Sequence, residues 1–191
     1  EYYLERIDSK NSNDNLTISV GAKWDILPGL NFAPQFSLYQ VTTDNRFFQQ
    51  SYYNGVSTFV DSRDASAGFT KLQQHQADGV FSYNKSFLDK HEIEAKLGFS
   101  FYQTTNSSIA AAGRKAATDL IPTLNGAAEA VSVGGTETQM RIIGYFTRIN
   151  YNYLQKYLLS FNLRYDGASN LGNKKWGFFP GISAGWNVHN E

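Results

Sequence analysis

Cysteine is missing from the 191-residue sequence altogether, proline occurs four times and methionine once. Without thiols there is no disulfide scaffold, no cysteine-based zinc site and no thiol catalysis. A surplus of either charge is missing too, since 17 basic side chains balance 17 acidic ones. Such a chain carries no electrostatic footprint for a nucleic acid, so no nucleic-acid partner is expected. Nor is there a run of about eighteen apolar residues, which excludes a transmembrane helix. The opening EYYLERIDSK lacks the apolar core of a signal peptide. None of these absences touches a β-barrel, whose wall alternates lipid-facing and lumen-facing residues and so averages to a polar composition.

Aromatic residues are what the sequence has in quantity, at 15%, with twelve Tyr and fourteen Phe. Strands favour them, and so do the girdles that ring membrane barrels at headgroup depth. The pattern is one of strict alternation. From Leu16 to Ile26, residues Leu16, Ile18, Val20, Ala22, Trp24 and Ile26 oppose Thr17, Ser19, Gly21, Lys23 and Asp25. Period two over that length predicts a strand, long enough to cross a bilayer core when tilted. Further strands are predicted from Leu30 to Arg46, Lys71 to Phe87, His91 to about Phe101, Gln139 to Tyr153, Tyr157 to Tyr165 and Trp176 to Val188. The expected fold is therefore all-β and antiparallel, with about seven strands.

Connections alternate in length. Short turns are expected at Pro28-Gly29, at Leu88-Asp89-Lys90 and at Leu154-Gln155-Lys156. The longer ones are an irregular loop after Arg46, a second across Thr105 to Glu137, and an intermediate one around Gly172. Within the second, AAAGRKAATDLI could form a short helix. Short turns at one end and long loops at the other match a transmembrane barrel wall with short periplasmic turns and long extracellular loops. Two aromatic belts are expected to bracket the apolar faces: Trp24, Phe32, Phe87, Tyr153, Tyr157 and Trp186 beside the short turns, Phe47, Phe48, Phe101, Tyr165, Trp176 and Phe178 beside the long ones. The competing architecture is a soluble or secreted β-sandwich serving as a carbohydrate-binding module.

The stretch between Tyr145 and Trp186, FTRINYNYLQKYLLSFNLRYDGASNLGNKKWGFFPGISAGW, resembles the barrel signature of the SusC/RagA family of TonB-dependent outer-membrane transporters. The resemblance is carried by Arg148, Asn150, Tyr151, Tyr153, Lys156, Tyr157 and Leu158, and then by Arg164, Asp166, Gly167, Ser169 and Gly172. It continues through Trp176, Gly177, Phe179, Pro180, Ser183, Gly185 and Trp186. Weaker echoes run through SYNKSFLDKHEIEAKLGFSF and AKWDILPGLNF. Ala168 departs from a commoner Ser, and Asn170-Leu171 from a basic-aromatic pair.

The resemblance implies that residues 1–191 are a partial receptor barrel, without plug domain, TonB box or signal peptide. It implies a transporter of the bacterial outer membrane that imports bulky nutrients, typically an oligosaccharide and sometimes a peptide. A SusD-like surface lipoprotein would serve as lid. Energy would come from the TonB complex through the plug and N-terminal parts.

Conventional chemistry is scarce. GASNLGNKKW has a Gly-rich, lysine-bearing look, but it lacks the Ser/Thr after the lysine and the following helix of a phosphate loop. It is expected to link two strands, with Gly167 and Gly172 at positive φ. His75, His91 and His189 lie on separate strands without metal-ligand spacing, so no metal and no cofactor are expected. Glu92 and Glu94 share a strand face with Lys96, which points to a hydrated, charge-balanced row rather than an acid–base pair. Lys23 and Arg164 face inward by the alternation; turned to lipid at mid-depth each would cost about 2 to 4 kcal/mol. The best ligand-binding candidates are Tyr52, Tyr53, Asp61, Arg63 and Asp64, since aromatics beside charged hydrogen-bonding groups suit sugars. No nucleophile and base converge, so no enzymatic activity is expected.

Overall fold

In the computed structural model, residues 4–88 and 90–190 are described, Leu4 and Asn190 without their side chains. Asp89, the middle of one expected turn, lies outside the described residues. Among the described residues ten strands form: β1 (Ile7–Gly21), β2 (Trp24–Leu27), β3 (Leu30–Gln49), β4 (Tyr52–Asn54), β5 (Thr58–Val60), β6 (Ala65–Phe87), β7 (His91–Ala116), β8 (Ala127–Tyr153), β9 (Tyr157–Ala168) and β10 (Trp176–Trp186). The main sheet runs β1-β3-β6-β7-β8-β9-β10, with β2 also paired to β3, and β4-β5 form a separate hairpin. Each lane thus neighbours the next one in sequence. Strands β8, β9 and β10 pair antiparallel without a break, from Ile142↔Ala168 to Tyr153↔Tyr157 and from Trp176↔Gly167 to Trp186↔Tyr157.

The main sheet is one continuous series of paired strands. Among the described residues only Phe48, Ala65 and Ala116 form a buried apolar core, while Leu97 and Ile182 are 60% and 76% exposed. A sandwich needs a continuous inter-sheet core, so the carbohydrate-binding sandwich is set aside.

Two compact units can be distinguished. A wall unit comprises Thr17–Leu38, Gln74–Thr104 and Met140–Glu191; a loop unit comprises Glu1–Leu16, Tyr39–Gln73 and Thr105–Gln139. In the wall unit the register lines up apolar side chains on one face. Ile149, Phe161 and Ile182 form one row, and Tyr151, Leu159 and Ala184 the next. Val20, Phe32, Phe36 and Phe99 line one apolar hollow, and Phe32 stacks on Phe81 with ring centroids 4.4 Å apart. Close to the short turns, Tyr153 faces Tyr157 and Tyr157 faces Trp186, while Lys85 Nζ sits 4.8 Å from the centre of the Phe87 ring. Rings and snorkelling amines of this kind suit a membrane interface.

The short turns follow their sequences. Pro28 precedes Gly29 at φ 84°, as a type II turn requires, and a side chain at 29 would also collide with the Asn84 carbonyl. Leu154 and Gln155 both take positive φ, 53° and 56°, and Lys156 N–H closes the turn on the Tyr153 carbonyl at 3.0 Å. Double positive φ matches the right-handed twist of the flanking strands.

Several expectations are corrected. Strands β7 and β8 run 26 and 27 residues, so the segment expected to be irregular from Thr105 to Glu137 is mostly strand. The alanine-rich piece with helical potential is extended as far as Ala116, because ladder pairing with neighbouring strands overrides a weak propensity. Only residues 117–126 connect β7 to β8, ending in a 3-10 turn at Leu124–Gly126. The loop after Arg46 contains the β4–β5 hairpin. Phe48 takes no place on an exposed belt: it is 2% exposed, in the small core of the loop unit. Gly167 and Gly172 are not at positive φ; among the described glycines only Gly29 and Gly55 are. Gly167 has a different reason to lack a side chain, since a Cβ there would lie 2.7 Å from the Trp176 indole.

Candidate solute-facing wall and loop base

The polar face of the wall unit is a connected lattice. Asn150, on β8, donates from Nδ2 to Glu94 Oε2 on β7 (2.9 Å) and accepts from Ser160 Oγ on β9 (2.7 Å). One step along, Asn152 Nδ2 donates to Glu92 Oε2 at 2.9 Å. Lys96 Nζ lies 2.9 Å from Glu94 Oε1. With Asn84, Ser86, Arg148 and Ser183, the two glutamates, the two asparagines and Ser160 line an open recess of about 810 Å³. Alternation places them together: Glu92, Glu94 and Lys96 are spaced by two on β7, as are Arg148, Asn150 and Asn152 on β8.

Chemically this surface offers amides, hydroxyls and paired charges to a hydrated solute. The two glutamates are hydrogen-bonded acceptors and not a poised acid–base pair. Nearby, Arg164 Nε meets Asp166 at 2.9 Å to Oδ1 and 2.7 Å to Oδ2. Lys23 pairs with Asp25 at 3.7 Å.

The histidines do not converge, and no group of three metal-ligating side chains occurs among the described residues. His91 Nδ1 is 2.7 Å from the Tyr151 hydroxyl, and its ring leans on Tyr153. His75 lies beside Phe36, and His189 falls in the 3-10 turn Val188–Asn190.

In the loop unit the five candidate ligand residues separate into two groups. Tyr52 and Tyr53 are on β4, paired with Val60 and Phe59 of β5. The Tyr53 and Phe59 rings sit 4.9 Å apart and remain 59% and 49% exposed. Asp61 is exposed as well. Arg63 and Asp64 are instead built into the base of the loop. Arg63, at φ 41°, donates from Nε to Asp119 Oδ1 at 2.8 Å. Asp64 accepts from Ser62 Oγ, and its carbonyl accepts from Gln49 N–H.

Asp119 also accepts from the Ser51 amide (2.9 Å) and the Ser51 hydroxyl (2.6 Å). Burial pushes its carboxyl up, but Ser51 and Arg63 together outweigh that and hold it below the ordinary carboxylate value. The packed trio Phe48, Ala65 and Ala116, with Leu124 against it, belongs to the same unit. Sequence reasoning does not find Ser51 or Asp119, because they are 68 residues apart and neither belongs to a local pattern.

The signature residues on β9 and β10 shape the wall itself. Trp176 covers Gly167 and stacks on Tyr165, with centroids 4.8 Å apart and planes at 11°. Gly177 makes room for the Phe179 ring. Pro180 faces Leu163, Gly185 faces Leu158, and Trp186 faces Tyr157. Gly172 lies in the connection between β9 and β10 with open space around it.

No family model matches the chain. It is 31% identical over 170 residues, 87% of its length, to TonB-dependent receptor P39 of Formosa agariphila. It is 25% identical over 98% of its length to TonB-dependent receptor P3 of the same organism. A shorter stretch of 55 residues is 38% identical to TonB-dependent receptor SusC of Bacteroides thetaiotaomicron and covers 6% of that protein. The chain spans only 16% and 19% of the lengths of P39 and P3. Its fold superposes over its whole length on structures of the RagAB peptide importer, in the open-open state (TM-score 0.90) and the closed-closed state (TM-score 0.91). Identity in each case is 15%, and the chain covers 21% of the matched protein.

Proposed function

Since this chain is a β-barrel wall segment of a SusC/RagA-type TonB-dependent receptor, we propose that the whole receptor imports a bulky nutrient across the bacterial outer membrane. The observation that carries the reading is the two-faced wall, with the Glu94–Asn150–Ser160 lattice on one side and the Phe161–Ile182 rows on the other. Such a wall bounds a hydrated lumen and faces lipid outside.

The cargo is an oligosaccharide or a peptide, energy is delivered by TonB to the plug, and a SusD-like lipoprotein closes the outer mouth. Likeness to receptors named for TonB dependence and to an importer described as carrying peptide supports this. Within the loops, Tyr53 and Phe59 supply an exposed aromatic platform with Tyr52 and Asp61 beside it, while Arg63 and Asp64 hold its base. That platform is the segment's contribution to holding cargo or lid.

The test is uptake by cells carrying the full-length receptor. Deletion should abolish growth on one oligosaccharide or peptide source, and tagged receptor should co-purify with a surface lipoprotein. Normal growth of the deletion strain on every such source would overturn the reading. In the same cells, Tyr53→Ala combined with Phe59→Ala should raise the concentration needed for half-maximal uptake while leaving receptor abundance unchanged.

A further inference from the structure

At the end of the wall unit away from the short turns, the apolar face carries a feature that cargo passage does not explain. Ile143 on β8, Gly167 on β9 and Trp176 on β10 form one row in register. Trp176 lies flat against Tyr165 and over Gly167, and a cleft opens beside the indole. Arg141, two residues before Ile143, and Lys175, next to Trp176, complete the rim together with Ser169; the cleft holds about 180 Å³.

The rim is cationic and held in place. Arg141 Nε donates to Gln103 Oε1 at 2.9 Å, which fixes the guanidinium. The Arg141 N–H donates to Ser169 Oγ at 2.8 Å, and the Ser169 N–H returns a bond to the Arg141 carbonyl at 2.9 Å. Because Ser169 Oγ is the acceptor in its bond, its own proton remains for an incoming oxygen. Neither Arg141 nor Lys175 forms an ion pair among the described residues. Asp166, next to Gly167, is already paired with Arg164.

We infer that this cleft seats the phosphorylated sugar headgroup of a glycolipid in the outer leaflet. The inference rests on the barrel-wall reading above. A guanidinium, an ammonium and a hydroxyl at one rim suit a phosphate. An indole face suits a sugar ring, and it sits at headgroup depth. Tyr145, Tyr165 and Phe178, 52%, 42% and 61% exposed on the same face, offer the surface on which acyl chains lie. Cargo in the lumen meets the other face, and a free phosphate would leave this apolar surface bare.

The experiment uses the full-length receptor purified in mild detergent and native mass spectrometry. Bis-phosphorylated lipid A, the same lipid with its phosphates removed, phosphatidylglycerol and inorganic phosphate are the probes. Lipid A should be retained by the wild type and bind about thirtyfold more weakly to Arg141→Gln combined with Lys175→Gln, at about fivefold per well-placed cation near a membrane surface. Lys23→Gln, at the other end of the wall, should bind like the wild type.

Equal retention by the double variant, or equal binding of dephosphorylated lipid, phosphatidylglycerol or inorganic phosphate, would overturn the inference. Outer-membrane fractionation and heat-modifiable gel migration of each variant test the barrel itself. A receptor that fractionates correctly yet ignores lipid A sinks only this inference, whereas one absent from the outer membrane sinks the reading beneath it.

Discussion

Trp176 lies on Gly167, directly across the β9–β10 pair, and the glycine exists to receive it. The indole bridges from that bare backbone to Tyr165, so one small residue sets the position of two aromatic rings. Replacing Gly167 by Val forces the indole off its seat. Overpacking of this kind costs roughly 1 to 3 kcal/mol. The urea midpoint of the full-length receptor in lipid vesicles should fall accordingly, and an unchanged midpoint would show that the indole is free to move aside.

Leu159 and Ser160 are adjacent on β9 and belong to opposite faces, Leu159 in register with Tyr151 and Ala184, Ser160 bonded to Asn150. Arginine at 159, one step inward from the Tyr157 ring, should destabilise by about 1 to 2 kcal/mol, whereas arginine at 160 meets water and costs little. Comparable losses at both positions, measured in the same vesicle titration, would contradict the assignment of faces.

Asp119 ties together Ser51 and Arg63 in the loop unit. Its carboxyl titrates below the ordinary 3.8, so the anchoring is fully present above that value and fades as pH falls through the lower value of the folded state. A spin label at Asn54 should become more mobile in acid below about 3.8, and mobile at every pH in Asp119→Asn. A label equally immobile across the titration in both proteins would count against the anchor.

Glu94 is the most connected carboxylate of the polar face, bonded to Asn150 and Lys96, yet it is solvent-accessible. Partly exposed ion pairs contribute about 0 to 1 kcal/mol. Glu94→Gln should therefore leave folding nearly unchanged and register, if anywhere, in uptake rates. A large shift in the unfolding midpoint would mean that this face is drier than a lumen.

Much of the wall is legible in the sequence because period two is a local signal: Leu159, Phe161 and Leu163 announce their face without help from any neighbour. The short turns are legible for the same reason, since Pro28-Gly29 encodes its own φ angles. The distal parts of β7 and β8 are not, because Ser107, Ser108, Gly134 and Gly135 carry no hydrophobic alternation and become strands only through their ladders. Burial of Phe48 and the Arg63–Asp119 bond depend on segments distant in sequence, which no window along the chain can join. Gly167 illustrates a subtler failure, in which the right residue is noticed for the wrong cause: conformational freedom is expected, and room for an indole is what the structure uses.

The order of the main sheet follows the order of the chain, each lane lying beside its predecessor. A curtain built this way has no crossover to thread. It can be assembled hairpin by hairpin, each new strand finding its template already in place, and the closure entropy paid at each step is that of one connection only. The Leu154-Gln155 turn, whose backbone is already bent to the twist of its strands, is a natural point for such zipping to begin.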